Sequence, residues 1–325
     1  MPRYIAIGGA GTDEIVLPDG TRMPSQCGGN AIYSAVGMRI WSPSVGIVSV
    51  ISSKYPQEWI DQLAQAGIDV SGIRRSTGSF GLSETIIYQP DGRRVIAPPR
   101  GALALVVKIF PAFVALMGMR MWASVCPQAA DIPESYLQAQ AAHLAPGEYA
   151  SQAECLQALH ARVASITLDP PPLLPGQPAG HVPKGLADLS LPDVILPSEQ
   201  ELAEYFGEGL SPAEGVRRLR ELGAKSVVVK VGGRGSLVFD GSADEPRQVP
   251  IYRTTAVDVT GAGDSYCGGF LVGLDESGDL LQAALYGTVS ASFVVEGYGA
   301  HYALRFTRAD AEARLQALRA QIPSS

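Results

Sequence analysis

The second half of the chain alternates between short apolar runs and longer segments in which apolar residues recur at helical spacing. The apolar runs that predict buried strands are 164–168, 194–196, 226–231 and 237–239. The segments that predict helices are 153–163, 199–206, 212–222 and, near the end of the chain, about 263–274, 279–295 and 307–320. Strands that alternate with helices of this length indicate a mostly parallel sheet covered on both faces.

The first half of the chain continues this pattern and adds a second one. The strands predicted here are 3–8 and 45–51, and the helices are 31–41 and 57–66. Short extended segments at 12–17, 82–88 and 93–97 do not fit the same sheet, and D-G at 91–92 predicts a hairpin. We therefore expect one α/β domain over 1–325 with a small β lid formed by approximately 12–26 and 79–97. Residues 98–150 have the least regular pattern.

Residues 101–122 are apolar enough to resemble a membrane span. Lys108 and Pro111 lie near the middle of this segment, and a lysine at the centre of a bilayer is costly. We therefore expect a bent helical insertion at approximately 98–125, buried in the protein or in a homodimer contact, and the alternative is a segment that touches a membrane.

Composition, charge and cysteine spacing limit the classes of function that this chain can have. Hydrophobic residues make up 46% of the 325 residues, which is ample for a large core. The net charge of −7 and the lack of a Lys/Arg run argue against a nucleic-acid partner and favour a small-molecule substrate. The cysteines are widely spaced and form no C-x-x-C, so they suggest neither a zinc site nor a disulfide framework. Together with a start that is too quickly glycine-rich for a signal peptide, they indicate the cytoplasm.

The stretch V-D-V-T-G-A-G-D-S-Y-C-G-G-F at 257–270 carries the strongest chemical signal. Gly261, Ala262 and Gly263 precede Asp264 at a predicted helix start, where backbone N–H groups and the helix dipole favour an anion. Small residues let the backbone approach that anion, and a phosphoryl group is a suitable one. Because a carboxylate repels phosphate, we interpret Asp264 as a general base for an attacking hydroxyl. The alternative is a helix N-cap or a first-turn acid.

This stretch resembles the C-terminal signature of the PfkB, or ribokinase-like, carbohydrate kinases. Four other stretches resemble motifs of that family in the same order: I-A-I-G-G-A-G-T-D at 5–13, C-G-G-N-A-I-Y-S-A-V-G at 27–37, L-P-S-E-Q-E-L at 196–202 and V-V-V-K-V-G-G-R-G-S at 227–236. The resemblance implies a ribokinase-like three-layer α/β sandwich with a mostly parallel central sheet. It also implies an ATP-dependent, Mg²⁺-requiring kinase that transfers the γ-phosphoryl group to a hydroxyl of a sugar or related small polyol.

The same resemblance implies roles for individual residues. Asp264 is the base, and the backbone of 261–263 is the anion hole. The positions implied to hold substrate hydroxyls are Asp13, Gly28, Gly29 and Asn30, and Tyr33 is placed in the substrate pocket with them. The local sequence alone leaves alternatives open: Asp13 could form a turn, the glycine pair could simply start a helix, and Asn30 could cap that helix.

On the nucleotide side the residues implied by the resemblance are Ser198, Lys230, Gly232 and Gly235. The alternative for G-G-R-G is a plain hairpin turn. Glu201 resembles the acid that supports Mg²⁺ through water, and its alternative is a solvated helix residue. Asp258 and Thr260 resemble the first part of a monovalent-cation site, with K⁺ as the candidate ion, and their alternative is a polar turn.

Two departures from the family pattern bear on function. Ser198 replaces the Asn of N-x-x-E, which puts the handling of Mg²⁺ and phosphate there in question. Tyr33 stands where many sugar kinases carry Asn, and its ring could stack on a base or sugar or fill the pocket. A nucleoside kinase of the same family, or a catalytically weak binding or regulatory protein, therefore stays open. A Rossmann dehydrogenase does not fit, because Glu14 occupies the third glycine position, and there is no P-loop motif.

Overall fold

A computed structural model describes residues 1–88, 94–96, 120–171, 173, 180, 182, 188–241 and 245–321. The expected insertion at approximately 98–125 lies outside the described residues as far as residue 119, and so do parts of the expected lid, 89–93 and 97.

A nine-stranded sheet forms the centre of the described structure. Its strands, in spatial order, are β13 (Arg247–Val249), β12 (Ser236–Phe239), β11 (Ser226–Lys230), β10 (Val194–Ile195), β9 (Ser165–Leu168), β8 (Ala141–Leu144), β1 (Tyr4–Ile7), β4 (Val45–Ile51) and β5 (Ile68–Arg75). All neighbours from β11 to β5 pair in parallel, whereas β12 and β13 are antiparallel. The inner strands are apolar and buried, as a sheet covered on both faces requires.

The helices lie on both faces of this sheet. They are α1 (Asn30–Arg39), α2 (Gln57–Gln65), α3 (Tyr149–Leu159), α4 (Glu199–Phe206), α5 (Pro212–Glu221), α6 (Ala262–Ser277), α7 (Leu280–Val294) and α8 (Arg308–Arg319). One apolar core joins the sheet to α1, α2, α6, α7 and α8, and a second joins its other face to α3, α4 and α5. The predicted three-layer α/β sandwich is confirmed.

A separate four-stranded sheet is built from segments of the first hundred residues. Its order is β3 (Gln26–Gly28), β2 (Gly11–Val16), β6 (Leu82–Tyr88) and β7 (Arg94–Ile96). The pairs β2–β3 and β6–β7 are antiparallel, and β2 pairs with β6 in parallel. These are the segments that the sequence assigned to a small β element; its action as a lid stays a prediction.

The largest departure from the expected pattern lies within 98–150. This stretch was expected to be irregular, yet it supplies β8, which pairs with both β1 and β9 near the centre of the sheet. Helix α3 also begins at Tyr149, four residues before the predicted start at residue 153, with the Glu148 side chain accepting a hydrogen bond from Ser151 N–H. Strand β8 has only four residues, one of them a histidine, so its sequence shows no clear apolar pattern. It is buried because β1 and β9 flank it on both sides.

The membrane alternative for 101–122 lies almost wholly outside the described residues. Among the helices that the structure does describe, each is too short or too polar to cross a bilayer.

Candidate active site

The carboxyl ends of the parallel strands bring several polar and charged residues to one edge of the sheet. Asp169 follows β9, Ser198 follows β10 and Lys230 is the last residue of β11. Helix α6 begins beside them, after the turn formed by Gly261. Open α/β sheets bind their ligands at this edge, outside the carboxyl ends of the parallel strands.

Gly261 is required by both its conformation and its surroundings. It occupies the N-cap of α6 in the left-handed region, with φ 73°, which side chains rarely adopt. A methyl group at this position would lie 2.2 Å from the ring of Tyr33. The turn before α6 is therefore packed directly on that ring.

Asp264 lies in the first turn of α6 and is half-buried. Because Gly261 occupies the N-cap, the N-cap alternative for Asp264 is wrong, whereas the first-turn position is correct. The N–H of Ala262 donates to the carbonyl of Val259 at 3.3 Å, so the turn itself engages one of the three predicted anion-hole donors. The catalytic role of Asp264 and the anion-hole role of 261–263 stay predictions.

Lys230 places a cation against this turn. A methyl group on Gly263 would lie 3.8 Å from Lys230 Nζ, and the ammonium forms an ion pair with Asp169. Burial is the largest influence and disfavours the charged amine, but the charge and hydrogen bond of Asp169 together with Cys267 and Glu201 outweigh that cost and hold the pKa of Lys230 well above its usual value. The cation and the positive end of the helix dipole together favour an anion at this point.

Asp13 lies in β2 of the second sheet and is buried. The Tyr33 hydroxyl donates to Asp13 Oδ2 at 3.3 Å, and a methyl group on Gly28 would lie 2.0 Å from the same oxygen. Tyr33 is 2% exposed, so it fills space between Asp13 and Gly261 rather than offering a free ring face for stacking. Burial raises the pKa of Tyr33 well above its usual value and keeps its hydroxyl protonated.

Gly29 and Asn30 hold the start of α1. Gly29 is its N-cap, with φ 100°, and a methyl group there would lie 2.6 Å from the Gly11 amide nitrogen. Asn30 Oδ1 accepts from Gly9 N–H at 2.7 Å, and Nδ2 donates to the Pro146 carbonyl at 2.6 Å. The capping alternative for Asn30 is therefore wrong, because its amide joins the loops that follow β1 and β8.

The G-G-R-G segment does form a hairpin connection between β11 and the antiparallel β12, by a 3₁₀ turn over Gly232–Arg234. Gly235 has φ 91°, and a methyl group there would lie 2.0 Å from the Val249 carbonyl oxygen. Gly232 has φ 58° and open space around it. An open cleft of about 510 Å³ adjoins this turn. It is lined by Gly233, Arg234, Pro250, Ile251, Arg253, Thr254 and Gln321.

Ser198 and Glu201 form a capping box at the start of α4. Ser198 Oγ accepts from Glu201 N–H at 3.1 Å, and Glu201 Oε2 accepts from Ser198 N–H at 2.6 Å. Glu201 is thus a partly exposed helix residue whose carboxylate also caps α4, and its role towards Mg²⁺ stays a prediction. Serine caps a helix about as well as asparagine does, so the departure at Ser198 preserves the local structure.

Asp258 is 1% exposed and is held from two sides. The Tyr88 hydroxyl, at the end of β6, donates to Asp258 Oδ1 at 2.5 Å, and Thr260 N–H donates to the same oxygen at 2.9 Å. Within the described part of the chain, Asp258 Oδ2 and Thr260 Oγ1 are buried without a hydrogen-bond partner. Two such oxygens fit the coordination of a monovalent cation.

Two residues of this edge were not predicted from the sequence. Asp169 directly follows a correctly predicted strand in L-D-P-P-P, a signal that could have marked it as a ligand-edge acid. Tyr88 reaches Asp258 from a different sheet, and no local pattern indicates this contact. Over the ranges that the structure describes, no three His, Cys, Asp or Glu side chains are grouped as a metal site.

The sequence model described as "pfkB family carbohydrate kinase" matches residues 135–306, more than half of the chain. The chain belongs to the pfkB family of carbohydrate kinases. The predicted family is thus confirmed, and with it a phosphotransferase whose acceptor is an alcohol group of a sugar or nucleoside. Members of this family generally use ATP and Mg²⁺.

Individual members of the pfkB family are similar over nearly the whole chain. A cytidine kinase of Thermococcus kodakarensis is 29% identical over 300 residues, which cover 92% of this chain and 98% of the relative. Two solved structures share the fold: a nucleoside kinase of Methanocaldococcus jannaschii (TM-score 0.68, 19% identity, 98% and 99% of the chains covered) and a ribokinase of Giardia lamblia (TM-score 0.71, 18% identity, 96% and 99% covered).

Proposed function

We propose that this pfkB kinase phosphorylates a nucleoside, with Asp264 as the general base. The observation that carries the proposal is the first turn of α6, which contains Asp264 and whose exposed Gly263 faces the Lys230 ammonium. A base for the hydroxyl and a cation for the phosphoryl oxygens are the two groups that phosphoryl transfer needs together.

The choice of a nucleoside over a free sugar is supported by the similarity to a cytidine kinase across nearly the full length of both chains. The site itself supports a ribose-like acceptor in either case. Asp13 offers a buried carboxylate that can accept hydrogen bonds from neighbouring hydroxyls, and Tyr33 fixes its position. A sugar kinase is the second candidate, because the same carboxylate suits a free sugar.

Each residue of the site has a separate role in the proposed reaction. Asp13 orients the acceptor, Asp264 takes the proton from its hydroxyl, and Lys230 with the start of α6 stabilises the charge on the transferring group. The cleft beside Gly232–Arg234 accommodates the nucleotide, where Arg234 and Arg253 supply positive charge. Glu201 would hold Mg²⁺ through water with the carboxylate oxygen outside the capping box, and that ion supplies charge neutralisation on the phosphates.

We further propose that a monovalent cation, K⁺ in the first instance, binds next to the D-V-T turn. Asp258 Oδ2 and Thr260 Oγ1 support this proposal as buried oxygens that lack a donor among the described residues. A cation there would neutralise Asp258, which is 1% exposed, and brace the turn that leads to Gly261. We place the enzyme in the cytoplasm, which suits its four buried free thiols.

The test is coupled ADP release with Mg-ATP over a panel of nucleosides, sugars and sugar phosphates. Asp264→Asn is expected to lower kcat by about 10²-fold to 10⁴-fold. The matched control is Asp310→Asn, since Asp310 is also an acid in the first turn of a helix, α8, and is expected to keep full turnover.

Each outcome decides between the candidates. Nucleoside turnover that needs Asp264 supports the proposal, whereas turnover with sugars alone replaces it with the sugar kinase. ATP binding by calorimetry without turnover on any compound of the panel favours the binding or regulatory protein. Equal turnover in Asp264→Asn and wild type would remove Asp264 as the base.

A further inference from the structure

We propose that Asp169 is a positioning residue for phosphoryl transfer, which fixes the Lys230 ammonium where it touches the transferring phosphoryl group. This inference rests on the proposed function. It assigns a role to an acid outside the recognised motifs, as the group that holds the Lys230 ammonium in place.

The backbone that carries Asp169 is held firmly. Its N–H donates to the carbonyl of Leu144 at 2.9 Å, and its own carbonyl accepts from Gln152 Nε2 at 2.9 Å. Its side chain is 3% exposed, and Oδ2 receives both the Lys230 ammonium and, at 3.5 Å, the Cys267 thiol. A carboxylate fixed in this way leaves little freedom for the lysine that it binds.

Lys230 in turn is placed at the point where an anion is favoured. Its side chain is 13% exposed, so most of it is buried but it is not sealed off from the ligand edge of the sheet. On α6, the Cys267 thiol lies 3.6 Å from the ammonium on its buried side, whereas Gly263 is exposed and carries no side chain that could shield the ammonium from a ligand. The positive end of the helix dipole repels a cation at the helix N-terminus. A bound phosphoryl group, being negative, would be attracted to both and would offset that repulsion.

Stability does not account for this pair. Moving an ion pair out of water is expensive, and apolar residues of similar volume often serve a core equally well. Asp169 is also imperfectly satisfied, because Oδ1 is buried without a hydrogen-bond partner in the described part of the structure. Among the neighbouring groups, Glu201 on α4 and Cys267 on α6 also favour its charged form. The pair therefore maintains a cation at the phosphoryl site.

A second lysine–aspartate pair, at the opposite ends of β10 and β11, supplies the control. Asp193 and Lys225 precede β10 and β11, and their charged atoms lie 3.8 Å apart at the opposite edge of the sheet. Asp193→Asn therefore removes a lysine-paired carboxylate from the same part of the fold without touching the site.

The experiment compares Asp169→Asn, Lys230→Met and the double variant by steady-state kinetics and by calorimetry with ATP and ADP. Lys230→Met is expected to lower kcat by about 100-fold, and Asp169→Asn by about 10-fold, with the KM of the acceptor unchanged. ATP affinity falls more than ADP affinity in both, because only ATP places a phosphate beside Gly263. Adding Asp169→Asn to Lys230→Met produces no further loss, and Asp193→Asn matches the wild type.

Two results with Asp169→Asn would overturn the inference: a kcat within twofold of wild type, or an equal loss of kcat in the presence and absence of Lys230. If wild type turns over no nucleoside or sugar, the proposed function fails, yet the ATP-to-ADP affinity ratio still tests Asp169. If Asp169→Asn does not fold, Asp169→Glu, which keeps the charge and displaces it, gives the same readout. Unchanged discrimination between ATP and ADP there contradicts the proposal.

Discussion

The two edges of the central sheet carry the same chemical pair in opposite surroundings. At the carboxyl edge Lys230 and Asp169 are 13% and 3% exposed, whereas at the amino edge Lys225 and Asp193 are 51% and 45% exposed. The exposed pair is held at 3.8 Å and is screened by water, so it contributes little to stability. The buried pair costs desolvation and is tightly fixed. The difference shows that the fold carries the desolvation cost of a buried ion pair at the carboxyl edge, where the proposed phosphoryl transfer requires a fixed cation.

The sharpest contrast is expected between the two glycines that bound α6. Gly261 and Gly278 are both left-handed, with φ 73° and 65°, but a methyl group meets the Tyr33 ring at the first and open space at the second. Gly261→Ala should lower kcat by about 100-fold and the free energy of unfolding by about 4 kcal/mol or more. Gly278→Ala should cost only about 1–2 kcal/mol of backbone strain.

The two glycine variants are compared by urea unfolding and by steady-state kinetics. Full activity in Gly261→Ala would show that the carboxyl edge tolerates a displaced Tyr33, and would weaken the contrast between the edges.

The two lysines test the comparison directly. Lys230→Met leaves Asp169 buried without its cation and is expected to lower the free energy of unfolding by about 3–5 kcal/mol. Lys225→Met removes a surface pair and should change it by less than about 1 kcal/mol. Chemical denaturation at pH 7.5 measures both variants, and similar losses would mean that burial does not distinguish the two pairs.

A smaller effect is expected where the second sheet meets the carboxyl edge. Tyr88→Phe removes the hydroxyl that donates to Asp258, and should lower the free energy of unfolding by about 1–2 kcal/mol while raising the K⁺ concentration needed for half-maximal activity. Tyr286→Phe is the control, since its hydroxyl donates to the exposed Glu276 at 3.2 Å, away from the site. An unchanged K⁺ response in Tyr88→Phe would separate the second sheet from the cation site.

The smallest effect comes from His143 in β8. Burial and the nearby Lys230 lower the pKa of His143 to about 3, so the folded protein keeps it neutral while the unfolded chain takes up a proton below about pH 6.5. Its contribution to stability is complete above pH 6.5 and is lost as the pH falls towards 3. Between pH 7 and 5.5 the free energy of unfolding should fall by about 1 kcal/mol from this group.

Urea unfolding of wild type and His143→Gln across that pH range measures the contribution of His143 to the free energy of unfolding. The variant should lose this part of the pH dependence, and an unchanged slope would assign it to other groups.

The sequence predicted those features whose signal is local. Helix α4 was predicted with its observed bounds because S-E-Q-E contains its own capping box, and the G-A-G-D turn was recognised because small residues stand next to an acid. Strand β8 was missed because its four residues carry no periodic pattern.

The contacts that complete the site could not be read from the sequence, because they join distant positions. Asp169 and Lys230 are 61 residues apart, and Tyr88 and Asp258 are 170 residues apart. Tyr33 was correctly identified as unusual, but only packing shows that its ring joins Asp13 to Gly261.

The ends of the nine-stranded sheet also bear on whether a second copy of the chain could extend it. Outer strands offer unpaired backbone groups to other chains, and short length or charged side chains reduce that hazard. Strand β13 has only three residues, and β5 carries Arg74 and Arg75, with Arg74 paired to Asp131. Growth of the sheet by a second copy is therefore disfavoured at both ends, and a dimer would have to form through another surface.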